Sequence, residues 1–332
     1  MAALATNGPT LAPDDDKPRP IVVRVSTGDL IFRSAMRAAG LLVLVITASI
    51  LIFLVARSIP AFKSAGFGFF TTSQFNGYQF GIAAILPFSV LIAVIALVIA
   101  IPVGIAAALF ISEYAPPGLR RLLIAAIDLM AAVPSIVVAL FGLYFLMPRI
   151  LGFDSWLARH LGFIPLFHVT GPDSPVTYVQ STFIAGVVVS LLVIPIITSL
   201  SRQVFSQAPQ GEREAAYALG ATRWGMIRAV VLPYGRAGII GASMLGLGRA
   251  LGETIAVSFI LTPVYTFTPH VLASGGNSVT YMIANYLLDA GSLERSALLA
   301  AAMVLFVLTL GINVLAAIVI SRSRSGATAA AD

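Results

Sequence analysis

Cysteine is absent from this 332-residue chain, which excludes a disulfide framework, a thiolate metal site and a cysteine nucleophile. Histidine is scarce: His160, His168 and His270 lie far apart in sequence and form no H-E-x-x-H or i,i+4 pair, so no metal site is expected. Lysine occurs at Lys17 and Lys63 alone, neither within G-x-x-x-x-G-K-[ST], and the chain therefore has no P-loop to hold a nucleotide. Charge is also sparse, at 10% of residues, where a soluble domain carries about 25%. Against these absences stand 58% hydrophobic residues and a mean hydropathy of +0.97, the composition of a membrane protein. The net charge of +6 would suggest nucleic-acid binding in a soluble chain. Here it fits the basic cytoplasmic loops of a bilayer protein, and no nucleic-acid partner is expected.

Apolar stretches long enough to cross a ~30 Å hydrocarbon core as helices occur near 36–57, 82–111, 122–147, 182–200, 234–261 and 296–320. Runs such as 90–101 are apolar at every position, so the alternating pattern of a transmembrane β-barrel is missing. The expected fold is an all-α membrane protein with six transmembrane helices. With both termini cytoplasmic, most of the basic residues fall inside, against Arg57, Lys63, Arg149, Arg159 and Arg295 outside. Residues 1–33 hold Asp14, Asp15, Asp16, Lys17 and Arg19 and read as a cytoplasmic tail, not a signal peptide, with Asp29 capping a short interfacial helix over 30–37. The six-span domain occupies 34–321, and 322–332 form a second cytoplasmic tail.

The most informative polar segment is 210–233. Residues 212–219 read as a helix of good formers, Gly220 as its left-handed stop, and Thr222 as the cap of a second helix ending at Val231 and closed by Pro233. The product is an exposed helical elbow, thinned on one side by Ala215, Ala216 and Ala218. Any cytoplasmic loop can hold such a helix. The spacing Glu214-Ala215-Ala216, Gly220, Ile227, Leu232-Pro233, however, resembles the E-A-A-x-x-x-G-x(9)-I-x-L-P coupling motif of bacterial ABC importer permeases, with Val230 and Leu232 in the I-x-L slots. That resemblance implies the type I ABC importer permease fold and an elbow seated in a separate ATP-binding subunit. ATP and magnesium would then be bound by the partner, with no cofactor in this chain. By the same resemblance Glu214 faces the partner and Gly220 sets the bend.

Arg249 and Glu253 stand four apart inside an apolar run and should share one helix face. Each costs ~2.5–3.5 kcal/mol at bilayer depth, so they should face a cavity or each other. A structural ion pair is the plain reading. Arg is also the side chain suited to an oxyanion, and Glu253 would hold Arg249 when no substrate is present. Gly246, Gly248 and Gly252 should admit a neighbouring backbone.

The string Gly246-Leu-Gly-Arg-Ala-Leu-Gly-Glu-Thr-Ile-Ala-Val-Ser-Phe-Ile260 resembles phosphate ABC importer permeases of the PstC type, as do Glu113-Tyr-Ala-Pro-Pro117, Ala131-Ala-Val-Pro-Ser135 and Gly276-Asn-Ser-Val-Thr280. The chain departs from that pattern at Val138, Ala139 and Asp128. Asp128 reads as a third charge in a span, paired with a neighbouring Arg or reaching to the interface. The resemblance implies a multi-pass protein of a bacterial inner membrane whose pathway includes Arg249, Glu253, Ser135 and Thr254. It also implies partners: a PstA-type homologous permease, an ATP-binding dimer, an extracytoplasmic phosphate-binding protein, phosphate and the lipid bilayer. Alternatives are a permease for another oxyanion, sulfate or molybdate, or a secondary carrier coupled to protons through Glu253 and Asp128.

Overall fold

The structure, a computed structural model, describes residues 26–76, 79–172 and 174–324. The expected acidic tail with Asp14 to Asp16, and Asp173, lie outside the described residues. Two compact units divide the chain, Met1–Ile50 and Leu51–Asp332. In the first, the described residues form the start of helix α1 (Thr27–Ala65), and all but half-buried Thr47 are exposed. Ser26 Oγ, not Asp29, takes the cap position by accepting the Asp29 N–H at 3.3 Å. No separate helix over 30–37 forms, because nothing in the sequence there stops propagation. Gly40 alone costs only about 1 kcal/mol.

The second unit continues with α2 (Gly68–Thr71), a two-residue hairpin of β1 (Phe75–Asn76) and β2 (Gln79–Phe80), and α3 (Ile85–Leu109). Next come α4 (Pro117–Ala132), α5 (Ser135–Phe141) and α6 (Met147–Leu161). The elbow follows α7 (Thr182–Ser206) as α8 (Gln210–Ala218) and α9 (Arg223–Met226), leading into α10 (Leu232–Gly252) and α11 (Ile255–Ile260). The chain closes with α12 (Val279–Tyr286) and α13 (Ser292–Arg324).

Among the described residues, six helical segments are long and apolar enough to cross a membrane: Thr27–Ala65, Ile85–Tyr114, Ser135–Leu161, Thr182–Ser206, Arg223–Gly252 and Ser292–Ile318. The third departs from the expected 122–147. Proline disfavours a helical residue before it, and both Val133 and Pro134 are extended, so α4 stops short of α5. The helix then reads through Pro148, where sequence reasoning ended it.

It can do so because a π-helical turn, Gly142–Leu146, ends two residues before Pro148, and a second, Ile227–Val231, ends two residues before Pro233. A helical proline lacks an N–H and crowds the carbonyl four residues back, which here is Tyr144 or Ala229, each inside a widened turn. The expected closure at Pro233 is accordingly absent: the elbow passes without interruption into α10.

The core lies where α3 and α7 run against each other and α10 crosses them. Ile92, Ala96 and Ala100 meet Ile184, Val188, Val189 and Ile197 in one buried cluster. α10 comes close to α7 at Gly246, where a Cβ would stand 2.8 Å from Val193 Cγ1. Gly248 and Gly252 adjoin open space instead, so only the first of the three glycines serves backbone approach. The outward faces of the long helices stay apolar, as lipid-facing surfaces do.

Candidate functional site

The elbow is built from short, separately capped pieces. Gly220 takes φ +81° and ends α8, and the Thr222 hydroxyl accepts the Gly225 N–H at 3.1 Å to start α9. Beneath it Met226, Ile227 and Val231 are buried against Phe205, Ala108 and Ala208. Ala216 and Leu232 are half-buried on that cluster, so Ala216 faces inward and does not belong to the thin outer side. Glu214, Ala215, Tyr217, Ala218 and Pro233 are exposed, and Leu219 is 89% exposed. With Trp224 these side chains make an apolar and acidic outer surface.

Sequence reasoning missed what ties the elbow down. The Arg213 guanidinium donates to Glu113 Oε2 at 2.8 Å and to the Phe205 carbonyl at 2.6 Å. The side chains are 18% and 5% exposed respectively. Glu113 lies on the π-helical turn Phe110–Tyr114 that ends the second span, and Phe205 on the last turn of α7. One arginine therefore joins the elbow to two spans. The signal was the Glu113-Tyr-Ala-Pro-Pro117 motif, whose carboxylate had no assigned use.

The second constellation is the break between α10 and α11. Glu253 is extended, so the helix that was to carry Arg249 and Glu253 on one face ends at Gly252. Glu253 is 7% exposed, and its Oε1 accepts the Ala256 N–H at 3.3 Å, satisfying a free amide of the next helix. Its Oε2 is 3.8 Å from Arg249 Nη2, too long for a hydrogen bond. The two charges do face each other, as a loose ion pair. Arg249, 43% exposed, spends none of its donors on the described residues.

Thr254 turns its hydroxyl back to the Gly252 carbonyl at 3.1 Å. From the 276–280 motif, Thr280 Oγ1 donates to the Glu253 carbonyl at 3.0 Å, and the Val279 N–H donates to Ser89 Oγ at 2.9 Å. This brings a third stretch, which sequence reasoning had only matched to a family, onto the break.

Arg249 opens onto a groove of 650 Å³. α10 supplies Gly241, Met244, Leu245, Gly248 and Arg249, the i, i+3, i+4, i+7, i+8 face of a helix. Ile196 of α7 and Asn313 of α13 complete the wall. Ser135, half-buried at the start of α5, lines neither this groove nor the apolar one of 410 Å³ between Val133, Val138 and Leu191, and makes no hydrogen bond to Arg249 or Glu253. Asp128 is exposed on α4, not buried, and has no ionic partner among the described residues.

The structure does bring two distant histidines together: the His168 and His270 rings are 5.5 Å apart, with His270 Nδ1 2.7 Å from the Pro165 carbonyl. Among the described residues no group of three acidic or histidine side chains is placed to hold a metal ion.

The model of the family described as "Binding-protein-dependent transport system inner membrane component" matches residues 100–325. The chain is 39% identical over 292 residues to the phosphate transport system permease protein PstC 2 of Mycobacterium tuberculosis, covering 86% of this chain and 90% of that one. It is 37% identical over 295 residues to the PstC protein of Haemophilus influenzae, covering 88% and 93%. Among solved structures, a bacterial ABC transporter involved in the import of the acidic polysaccharide alginate matches with a TM-score of 0.58 at 22% identity, covering 88% of this chain and 97% of that one. That likeness concerns the fold.

Proposed function

Because the chain belongs to the family of binding-protein-dependent transport system inner membrane components, we propose that it is the transmembrane permease subunit of an ATP-driven phosphate importer. It is a multi-pass membrane protein and a transport subunit, not an enzyme. The observation that carries the substrate is the similarity over most of its length to phosphate transport permeases. With no P-loop of its own, it relies on a separate ATP-binding dimer for energy, and ATP and magnesium belong to that partner. A PstA-type permease completes the pathway, and an extracytoplasmic phosphate-binding protein delivers the anion. The excess of basic residues in the elbow and terminal segments supports a cytoplasmic side for both termini and the elbow, and the family supports a bacterial inner membrane.

Two regions carry the work in this reading. Glu214, Ala215, Ala216, Gly220, Leu232 and Pro233 form and support the surface that meets the ATP-binding subunit. Exposure of Glu214 and Leu219 beside the half-buried Arg213 anchor supports this, since a docking element needs a free face and a rigid root. Arg249, at the wall of the groove and with no hydrogen bond among the described residues, is the group that meets the anion. Glu253 holds the helix break that presents it, with Thr254 beside it and Ser135 further along the route. Glu253 is loosely engaged with Arg249, which leaves the guanidinium able to exchange carboxylate for phosphate. Arg249 alone does not distinguish phosphate from sulfate or molybdate, so another oxyanion is the second reading.

Reconstitution with the partner subunits in liposomes tests the proposal, with ATP-dependent uptake of labelled phosphate measured against sulfate competition and beside Arg249→Gln. Uptake that requires ATP, ignores sulfate and fails in the variant is expected. Sulfate competition would move the substrate to another oxyanion, and uptake without ATP would overturn the importer reading.

A further inference from the structure

α13 is an apolar helix, and its two polar side chains between 297 and 318 behave differently. Thr309 turns its hydroxyl onto the Leu305 carbonyl at 2.9 Å and the Phe306 carbonyl at 2.8 Å. Its hydrogen bonding is met within the helix. Asn313 has no such partner: its carboxamide makes no hydrogen bond to any described residue. A primary amide carries two N–H donors and a carbonyl acceptor, and leaving them unmet in hydrocarbon is costly. A membrane helix retains such a group where it reaches water or a polar ligand. Asn313 is at such a place, because it lines the same groove as Arg249. The rest of that wall is glycine or apolar and offers an anion nothing to bind.

We propose that Asn313 contacts the translocated anion, as a neutral second polar station in the groove that Arg249 opens onto. The chemistry suits a tetrahedral oxyanion. Arg249 supplies charge, and the amide N–H groups donate to the oxygen atoms without adding a second positive charge that would trap the ion. The amide carbonyl can in turn accept from a protonated oxygen, which phosphate carries near neutral pH. This inference rests on the proposed importer function and adds to it a residue on a different span.

The test uses the reconstituted complex with Asn313→Leu, Asn313→Gln and Asn313→Asp, reading ATP-dependent uptake of labelled phosphate and co-purification of the partner subunits. Asn313→Leu is expected to lower uptake roughly tenfold, the loss of one hydrogen bond to a charged partner, with all subunits still co-purifying. Asn313→Gln keeps the donors and should retain more uptake than Leu; Asn313→Asp, which faces the anion with a carboxylate, should take up least. Uptake by the Leu variant within twofold of the unmodified chain, equal loss in Leu and Gln, full activity in Asp, or loss of co-purification in any of the three overturns the proposal. The unmodified complex separates the two readings. If it fails to move phosphate with ATP, the importer function itself is wrong; if it succeeds while the variants match it, only the role of Asn313 falls.

Discussion

Replacing Arg213 by methionine should release the elbow from the bundle without unfolding the spans. The substitution keeps much of the apolar stem and removes the guanidinium. It leaves Glu113, 5% exposed, with no ion partner, and its Oε1 has no hydrogen bond even now. The Phe205 carbonyl loses its 2.6 Å donor at the same time. Breaking one side of a buried pair costs ~3–5 kcal/mol, because the remaining charge is uncompensated. At the lower bound, the equilibrium between docked and undocked elbow shifts more than about hundredfold. Hydrogen exchange in detergent reads this directly: amides of α8 should lose protection by about that factor, while those of α3 and α7 hold. Removing both charges, with Glu113→Leu and Arg213→Met, should restore most of the protection, since no buried charge remains. If α8 exchanges alike in the single variant and the unmodified chain, or the double variant is no better than the single, the pair does not anchor the elbow.

Gly246→Ala places a methyl 2.8 Å from Val193 Cγ1 and should destabilise the bundle by ~1–3 kcal/mol, with Val193→Ala in the same chain recovering part of the loss. Thermal unfolding of the two single variants and the double variant measures both effects, and additive losses would refute the close approach. Asp154, wholly buried with neither carboxylate oxygen hydrogen-bonded, should accept Asn with no loss of melting temperature in detergent at neutral pH, because an uncompensated buried charge is expensive. A fall of several degrees would mean that a partner for this carboxylate forms in the complete transporter fold.

Six spans were legible because twenty apolar residues in a row leave little else to a chain, and the elbow because Gly220 and Thr222 are local signals with local physics. Residues far apart were not legible. Glu113 and Arg213 are brought together by the packing of the second and fourth spans, and no spacing announces it. The break at Pro134 is one that a proline announces, whereas the far boundary of the third span was misplaced because Pro148 also looks like a stop and is instead absorbed by a widened turn. Arg249 and Glu253 looked like an i,i+4 pair on the assumption of unbroken helix. The chain instead bends at Glu253, held by Thr280 from another segment. Asn313 passed unnoticed as a lone amide, and only its groove gives it meaning.

The widened turn Ile227–Val231 has a consequence for how the fifth span is phased. An α-helix turns about 100° per residue, and a π turn accommodates one residue that regular winding would not. Everything from Leu232 onward is therefore rotated relative to the elbow by about the angle of a single residue. The face from Gly241 to Arg249 points into its groove only with that offset. Unwinding the surplus residue would swing Arg249 away from the groove while the elbow stayed in place, so one turn beside Pro233 sets the angular register between the elbow's exposed surface and the wall of the Arg249 groove.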